Sequence, residues 1–309
     1  MIMNIALLYA SWRQEGEEHS WPIAVHQELL KRGHCVVDYN LYHANGQLHP
    51  KRKTRFYSDE GLNIMYAAIR SNLFKPDLIM QFDYGQHNSN ILDKKFYPSA
   101  KWVLEAGDDP QAFPANISKA GKFDLVLTPH LPCVEQYSKY GINTKWWTQA
   151  CDIDYLDQVT DVPITLGAVS TCGPRGNGLT EKIKEVLKDD FVYDRYYYNK
   201  DHTKRLKSGK IVFHHSQYGE IGRRVMEGMG CKKLVICDRL QKEVGLDSLF
   251  VENKEIIFYD SADDAIDKIR YYLSHDAERE EIANAGFNKV LSNHSVKARV
   301  DQLEDFINV

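Results

Sequence analysis

"KIVFHHSQYGEIGRRVMEGMGCKKLVICD", residues 210–238, reads as strand, loop, helix and strand. KIVFHHS and KLVICD are short continuous apolar runs, suited to strands buried on both faces of a parallel sheet, and RRVMEGMG between them is a helix. A strand–helix–strand unit of this kind needs parallel neighbours, so the same rhythm should recur along the chain. It does. NIALLYAS, CVVDYNLY, PDLIMQFDYG, AKWVLEAGDD and FDLVLTP are strand-like runs in the first half, with PIAVHQELLKRGH and SDEGLNIMYAAIRSN as helices. VPITLGAVS restarts the pattern in the second half, followed by LTEKIKEVLKD, the opening stretch itself, EIIFY and SADDAIDKIRYYLSH. The polar segment CDIDYLDQVTDVP, with a proline just before the new strand, is the linker.

The chain has 309 residues, long for one compact domain and right for two. It carries 43% hydrophobic and 27% charged residues and a net charge of −4, and no apolar run is long enough to span a membrane. The N-terminus reads as a first strand, with neither the basic region nor the cleavage site of a signal peptide. Six scattered cysteines without a C-x-x-C pair form neither a zinc site nor a disulfide framework, which fits a reducing cytoplasm. A chain that is acidic overall does not coat nucleic acid, although a local basic patch is compatible with that charge.

Two doubly wound sheets in tandem bind ligands outside the carboxyl ends of their strands, so the expected fold is α/β, with two Rossmann-like domains facing across a cleft. Gly219 and Gly222 then lie at a strand-to-helix junction, where free amides and the helix dipole attract an anion. Arg223 and Arg224 fall in the first turn, where a cation opposes the dipole unless an anion sits nearby. Glu227, one turn on, projects from the same end and can accept hydrogen bonds from a ribose. Together these residues suit a nucleotide diphosphate. A packed helix with an exposed Arg–Glu pair accounts for the same spacing.

Arg224-Val225-Met226-Glu227 followed by GMGCKKLVICD resembles the C-terminal half of GT-B fold glycosyltransferases, closest to the spore-maturation-type (CgeB-like) group with its R-x-F-E helix. FDLVLTPHLPCVEQYSKYGINTKWWTQACDIDYL is similar to the end of that family's N-terminal domain, LGAVSTCGPRGNGLTEKI to the first strand and loop of its donor domain, and HSVKARVDQLEDFI to its closing helices. The resemblance implies an acceptor domain over residues 1–155, a nucleotide-sugar donor domain over 156–290, and a C-terminal helix over 291–309 that crosses back to the first domain. It implies a hexosyl transfer from a UDP-sugar, retaining at the anomeric carbon, with no further cofactor and no metal. The diphosphate would rest on Arg175, Arg224 and the amides of residues 219–223, lined by Gly173, Tyr218, Glu220 and Arg223, with Glu227 on the ribose. Many retaining members carry two glutamates with seven residues between them; counting back from Glu227 lands on Gly219, so the first glutamate's role falls to Glu220 or to backbone groups of residues 216–222. A sugar-nucleotide epimerase or a binding module of the same architecture are the alternatives.

Three other stretches carry chemistry. YASWRQEGEEHSWP (9–22) follows the first strand and offers Trp12 and Trp21 for stacking and His19 for a proton, or is a surface loop with its tryptophans in the core. LEAGDDP (104–110) brings Glu105, Asp108 and Asp109 to a strand end, with Asp108 as a general base or either aspartate as a cap. HPKRKTRFY (49–57) clusters Lys51, Arg52, Lys53 and Arg55, which are a solvated face or a contact for DNA or another polyanionic acceptor.

Overall fold

The computed structural model describes residues 2–12, 19–44, 47–50, 74–83, 94, 97–171, 178–193 and 199–307. They form two compact units, Met1–Thr148 with Val300–Val309, and Gln149–Arg299.

In the first unit, β1 (Asn4–Trp12) is the central strand, and Ile5, Leu7 and Leu8 are all buried, as a strand covered on both faces requires. It pairs in parallel with β2 (Cys35–Ala44) on one side and β4 (Leu78–Asp83) on the other. β5 (Lys101–Ala106), β6 (Leu125–Thr128) and β7 (Thr144–Trp146) extend the sheet in parallel, and β3 (Gln47–Pro50) closes the far edge antiparallel to β2, giving the order β3-β2-β1-β4-β5-β6-β7. Helix α1 (Trp21–Lys31) follows β1 with a proline in its first turn, and buries Trp21, Ala24, Val25 and Leu29. It ends at Gly33, whose φ of 83° lets Gly33 N–H reach the Leu30 carbonyl and His34 N–H the Leu29 carbonyl, the paired bonds of a Schellman stop. Helices α2 (Phe113–Ala120) and α3 (Leu131–Ser138) pack their apolar sides at β5 to β7.

The second unit repeats the plan. β8 (Leu166–Ser170), β9 (Phe191–Val192), β10 (Gly209–His214), β11 (Leu234–Asp238) and β12 (Ile257–Tyr259) form an all-parallel sheet in the order β12-β11-β10-β8-β9. Numbered within each unit, the parallel strands run 2-1-3-4-5-6 in the first sheet and 2-1-3-4-5 in the second, the doubly wound order, with the strand order reversing between β1 and β4 and between β8 and β10. Helix α4 (Leu179–Leu187) follows β8, α5 (Asn199–Ser208) precedes β10, and α6 (Arg223–Gly230) joins β10 to β11. Gly228 of α6 is required by contact: a Cβ there would lie 2.8 Å from Val212 and 2.9 Å from Val235, so its absence lets the helix lie close on β10 and β11. In the core of this unit Phe213 stacks on Tyr259 and meets Phe191 edge-on. Helices α7 (Ala262–Ser274) and α8 (Asp276–Asn293) complete it.

The division falls at Thr148, a few residues before the expected 155, because the linker packs with the second unit. Cys151 pairs with Ser295 in a short parallel bridge, and a Cβ on Gly230 of α6 would meet Cys151 and Leu156. Helix α9 (Val296–Ile307) starts in the second unit and ends in the first. There Glu304 accepts hydrogen bonds from Arg32 at 2.9 Å and pairs with His34 at 2.8 Å, and Lys101 donates to the Ile307 carbonyl at 3.0 Å. Among the described residues no helix is long and apolar enough to cross a membrane.

Candidate functional site

The place where strand order reverses in the second unit lies between the carboxyl ends of β8 and β10. Thr171, just past β8, and His214, the last residue of β10, join across it through Thr171 Oγ1 and His214 Nδ1 at 2.8 Å. His214 is buried, and its ring carries the start of α6: a Cβ on Gly222 would lie 2.9 Å from His214 Nε2. Only glycine lets the loop come down on that ring. The intervening turn needs a second glycine, Gly219, with a φ of 71°. Glu220 closes this turn from inside, its Oε2 accepting from Tyr218 N–H at 2.6 Å and from Ser216 Oγ at 3.2 Å. Asp238 at the end of β11 accepts from Ser216 N–H at 2.9 Å, tying the loop to the next strand, while Tyr218 is exposed.

Gly222 is the N-cap of α6, with an extended backbone and no side-chain cap, and the first turn contains no acid. Two arginines stand there instead, against the helix dipole. Their fates differ. Arg223 Nε donates to Glu227 Oε1 at 2.9 Å, so its charge is compensated one turn on. Arg224 is half-buried and makes no hydrogen bond or ion pair with any described residue. The Arg–Glu pair at i,i+4 spacing therefore exists, but it uses Arg223 and leaves Arg224 open.

Glu227 is buried at 6% exposure, with His202 Nε2 of α5 at 3.3 Å from Oε2 and Arg223 on Oε1. Burial by itself would raise its pKa, but Arg223, His202 and Arg224 outweigh that and hold the carboxylate ionised well below the usual range. A ribose hydroxyl would have to share a carboxylate that already has two partners. His202 escaped the sequence reading because a single histidine 25 positions from Glu227, on another helix, leaves no spacing signal.

The remaining residues fall elsewhere. Gly173 and Arg175 lie outside the described residues, as do Lys51, Arg52, Lys53 and Arg55. His19 and Asp108 belong to the first unit, after β1 and after β5. His19 is half-buried before α1, and Trp21 beside it is in the core, its ring 4.9 Å from that of Trp147, which removes it from any stacking role. Asp108 is exposed, with a φ of 58°, and its carbonyl accepts from Ala112 N–H. Asp109 turns inward instead, to accept from Asn116 at 3.0 Å, Thr128 at 2.8 Å and Tyr137 at 3.1 Å. Burial raises its pKa to about 6 despite those three donors. Asp109 thus serves as a buried polar anchor between β5, α2 and α3.

Comparison with known proteins bears on the second unit first. Residues 171–305 match a protein-family model described as glycosyl transferase-like. No curated protein matches the chain. Among solved structures, HepE from Anabaena in complex with UDP and glucose is 12% identical, with 99% of each chain covered and a TM-score of 0.64. A sucrose-phosphate synthase from Thermosynechococcus elongatus is 12% identical, with 98% of each chain covered and a TM-score of 0.61. A Listeria monocytogenes protein described as a UDP-N-acetylglucosamine 2-epimerase is 12% identical over 99% of this chain and 96% of its own, with a TM-score of 0.57. Likeness at that identity speaks for the fold. In fold the chain is of the GT-B type, two Rossmann-like units in tandem, and its residues 171–305 match the glycosyl transferase-like model.

Proposed function

We propose that the chain is a glycosyltransferase of the spore-maturation (CgeB-like) type, which transfers a hexose from a UDP-sugar to an acceptor hydroxyl. The second unit holds the donor and the first the acceptor. The observation that carries this is Arg224: a half-buried cation in the first turn of α6, at the carboxyl end of β10, with no hydrogen bond or ion pair to any described residue. A diphosphate there meets the guanidinium, the free amides of the helix start and the positive end of the dipole together. Arg175, outside the described residues, is the second guanidinium that the family resemblance assigns to the diphosphate.

In the reaction the bond from the sugar's anomeric carbon to the diphosphate oxygen breaks, and its electron pair leaves with UDP. The acceptor oxygen forms the new bond. Charge therefore grows on the leaving phosphate, and donors already aimed at that position lower the barrier without rearranging. In a retaining transfer the departing phosphate takes the acceptor's proton, so no protein base is needed; in an inverting one Asp108, an exposed carboxylate of the first unit after β5, takes that role. Glu227, held ionised by Arg223 and His202, uses its remaining lone pairs on the ribose. The free thiols of the five described cysteines agree with a cytoplasmic setting.

The Listeria likeness favours one second reading, an epimerase acting on a nucleotide sugar without an acceptor. Asp109 does not serve it, since three donors inside the first unit occupy that carboxylate. A thermal-shift screen of UDP-, GDP-, ADP- and dTDP-sugars, followed by nucleotide release with candidate acceptors, tests the proposal. Stabilisation by UDP-sugars and acceptor-dependent release of UDP is the expected result. Turnover of the sugar with no acceptor and no release of UDP identifies the epimerase.

A further inference from the structure

Helix α5 contributes one side chain to this region, and the donor reading alone gives it no task. His202 is largely buried, and its Nε2, shielded from solvent, makes no hydrogen bond among the described residues; its polar neighbour is Glu227 Oε2 at 3.3 Å. Arg223 reaches the other oxygen, Oε1, at 2.9 Å, from the same helix as Glu227. The two contacts do different things. Arg223 at i,i+4 holds one oxygen through a single contact, which tolerates some rotation of the carboxylate about its last side-chain bond. A second group beside the other oxygen, from a separate helix, narrows that rotation. Each oxygen keeps a further lone pair for a ligand.

We propose that His202 is a positioning residue for the nucleotide's ribose: from α5 it fixes the plane of the Glu227 carboxylate, so that the lone pairs left by Arg223 and His202 face the ribose diol. This rests on the donor reading given above. It makes the helix after β9 part of the nucleoside site although it touches no phosphate. In metal sites, groups that orient a ligating side chain in this way change affinity by about one to two orders of magnitude.

The test compares UDP with inorganic pyrophosphate, which has no ribose. Calorimetric titrations are run on the full chain as wild type, Glu227→Gln, His202→Phe, His202→Asn and His202→Gln. The expected result is that His202→Phe weakens UDP about tenfold, the lower end of the range for a group that orients a ligand-binding side chain, and leaves pyrophosphate unchanged. His202→Gln, whose amide nitrogen reaches to about the same place as Nε2, restores most of the UDP affinity; the shorter His202→Asn does not, and it serves where the Phe variant fails to fold. Equal losses for both ligands, or no loss, in His202→Phe and His202→Asn, while Glu227→Gln still discriminates, overturns the proposal and leaves the donor reading standing. If Glu227→Gln itself loses both ligands equally, the ribose role of Glu227 falls, and the role of His202 with it.

Discussion

Replacing Arg224 with alanine separates a ligand-binding charge from a structural one. In the free protein this guanidinium has no hydrogen bond or ion pair among the described residues, and it stands in the first turn of α6, where a cation costs about 0.3–1 kcal/mol against the helix dipole. Its removal should therefore change stability little, the relieved dipole cost being set against the lost longer-range attraction to Glu227. Ligand binding should suffer. A charge-assisted hydrogen bond to a phosphate is worth about 1.5–3 kcal/mol, so UDP affinity should fall roughly 10- to 150-fold, with pyrophosphate losing a similar factor because the contact is to phosphate. Arg223→Ala is the control with the opposite pattern. It strips the buried Glu227 of its 2.9 Å partner, and leaving a charged acceptor short of a donor should cost about 1–3 kcal/mol of stability. Isothermal titration and urea melts on both variants give the four numbers. If Arg224→Ala binds UDP like wild type, or destabilises the fold as much as Arg223→Ala does, then Arg224 is a structural residue and the argument from its isolation fails.

Three further outcomes follow from the packing. Gly222→Ala sets a methyl 2.9 Å from His214 Nε2, a ring fixed by Thr171, and overpacking of this kind should cost about 1–3 kcal/mol in a urea melt; a cost that persists undiminished in a His214→Ala background would contradict it. Asp109, raised from 3.8 to about 6 by burial, favours its protonated form in the folded state, so its contribution to stability is full below about pH 4 and is lost as pH rises through 6. That loss is on the order of 2–3 kcal/mol, and Asp109→Asn should flatten the stability profile across this window; profiles that stay parallel would place the titration elsewhere. Glu304→Gln weakens the contacts of α9 to Arg32 and His34, and hydrogen exchange of residues 300–307 should speed up while that of α6 does not.

The tandem sheets were legible because strands buried on both faces of a parallel sheet must be continuous apolar runs, and NIALLYAS and KLVICD can be little else. The span of α6 was legible too, since glycine marks its start and the last glycines of RRVMEGMG its close fit to the sheet. Loop and helix are contiguous, so Gly219 to Glu227 come together whatever the fold does around them. Side-chain direction was not legible. Glu227 faces inward because its partner, His202, arrives from another helix. Asp109 and not Asp108 turns into the core because Asn116, Thr128 and Tyr137, 7 to 28 positions away, converge on it. Trp21 sits in a core completed by Trp147, more than a hundred residues later.

Hydrogen exchange of the wild-type chain with and without saturating UDP-glucose tests the central claim most directly, because it locates the donor without mutation. Protection should concentrate in residues 216–228, the loop after β10 and the first turns of α6, with α5 around His202 slowed as well. Residues 101–140 of the first unit should exchange as they do in the free protein. Protection confined to those first-unit residues, with 216–228 unchanged, would put the donor in the other unit and contradict the account.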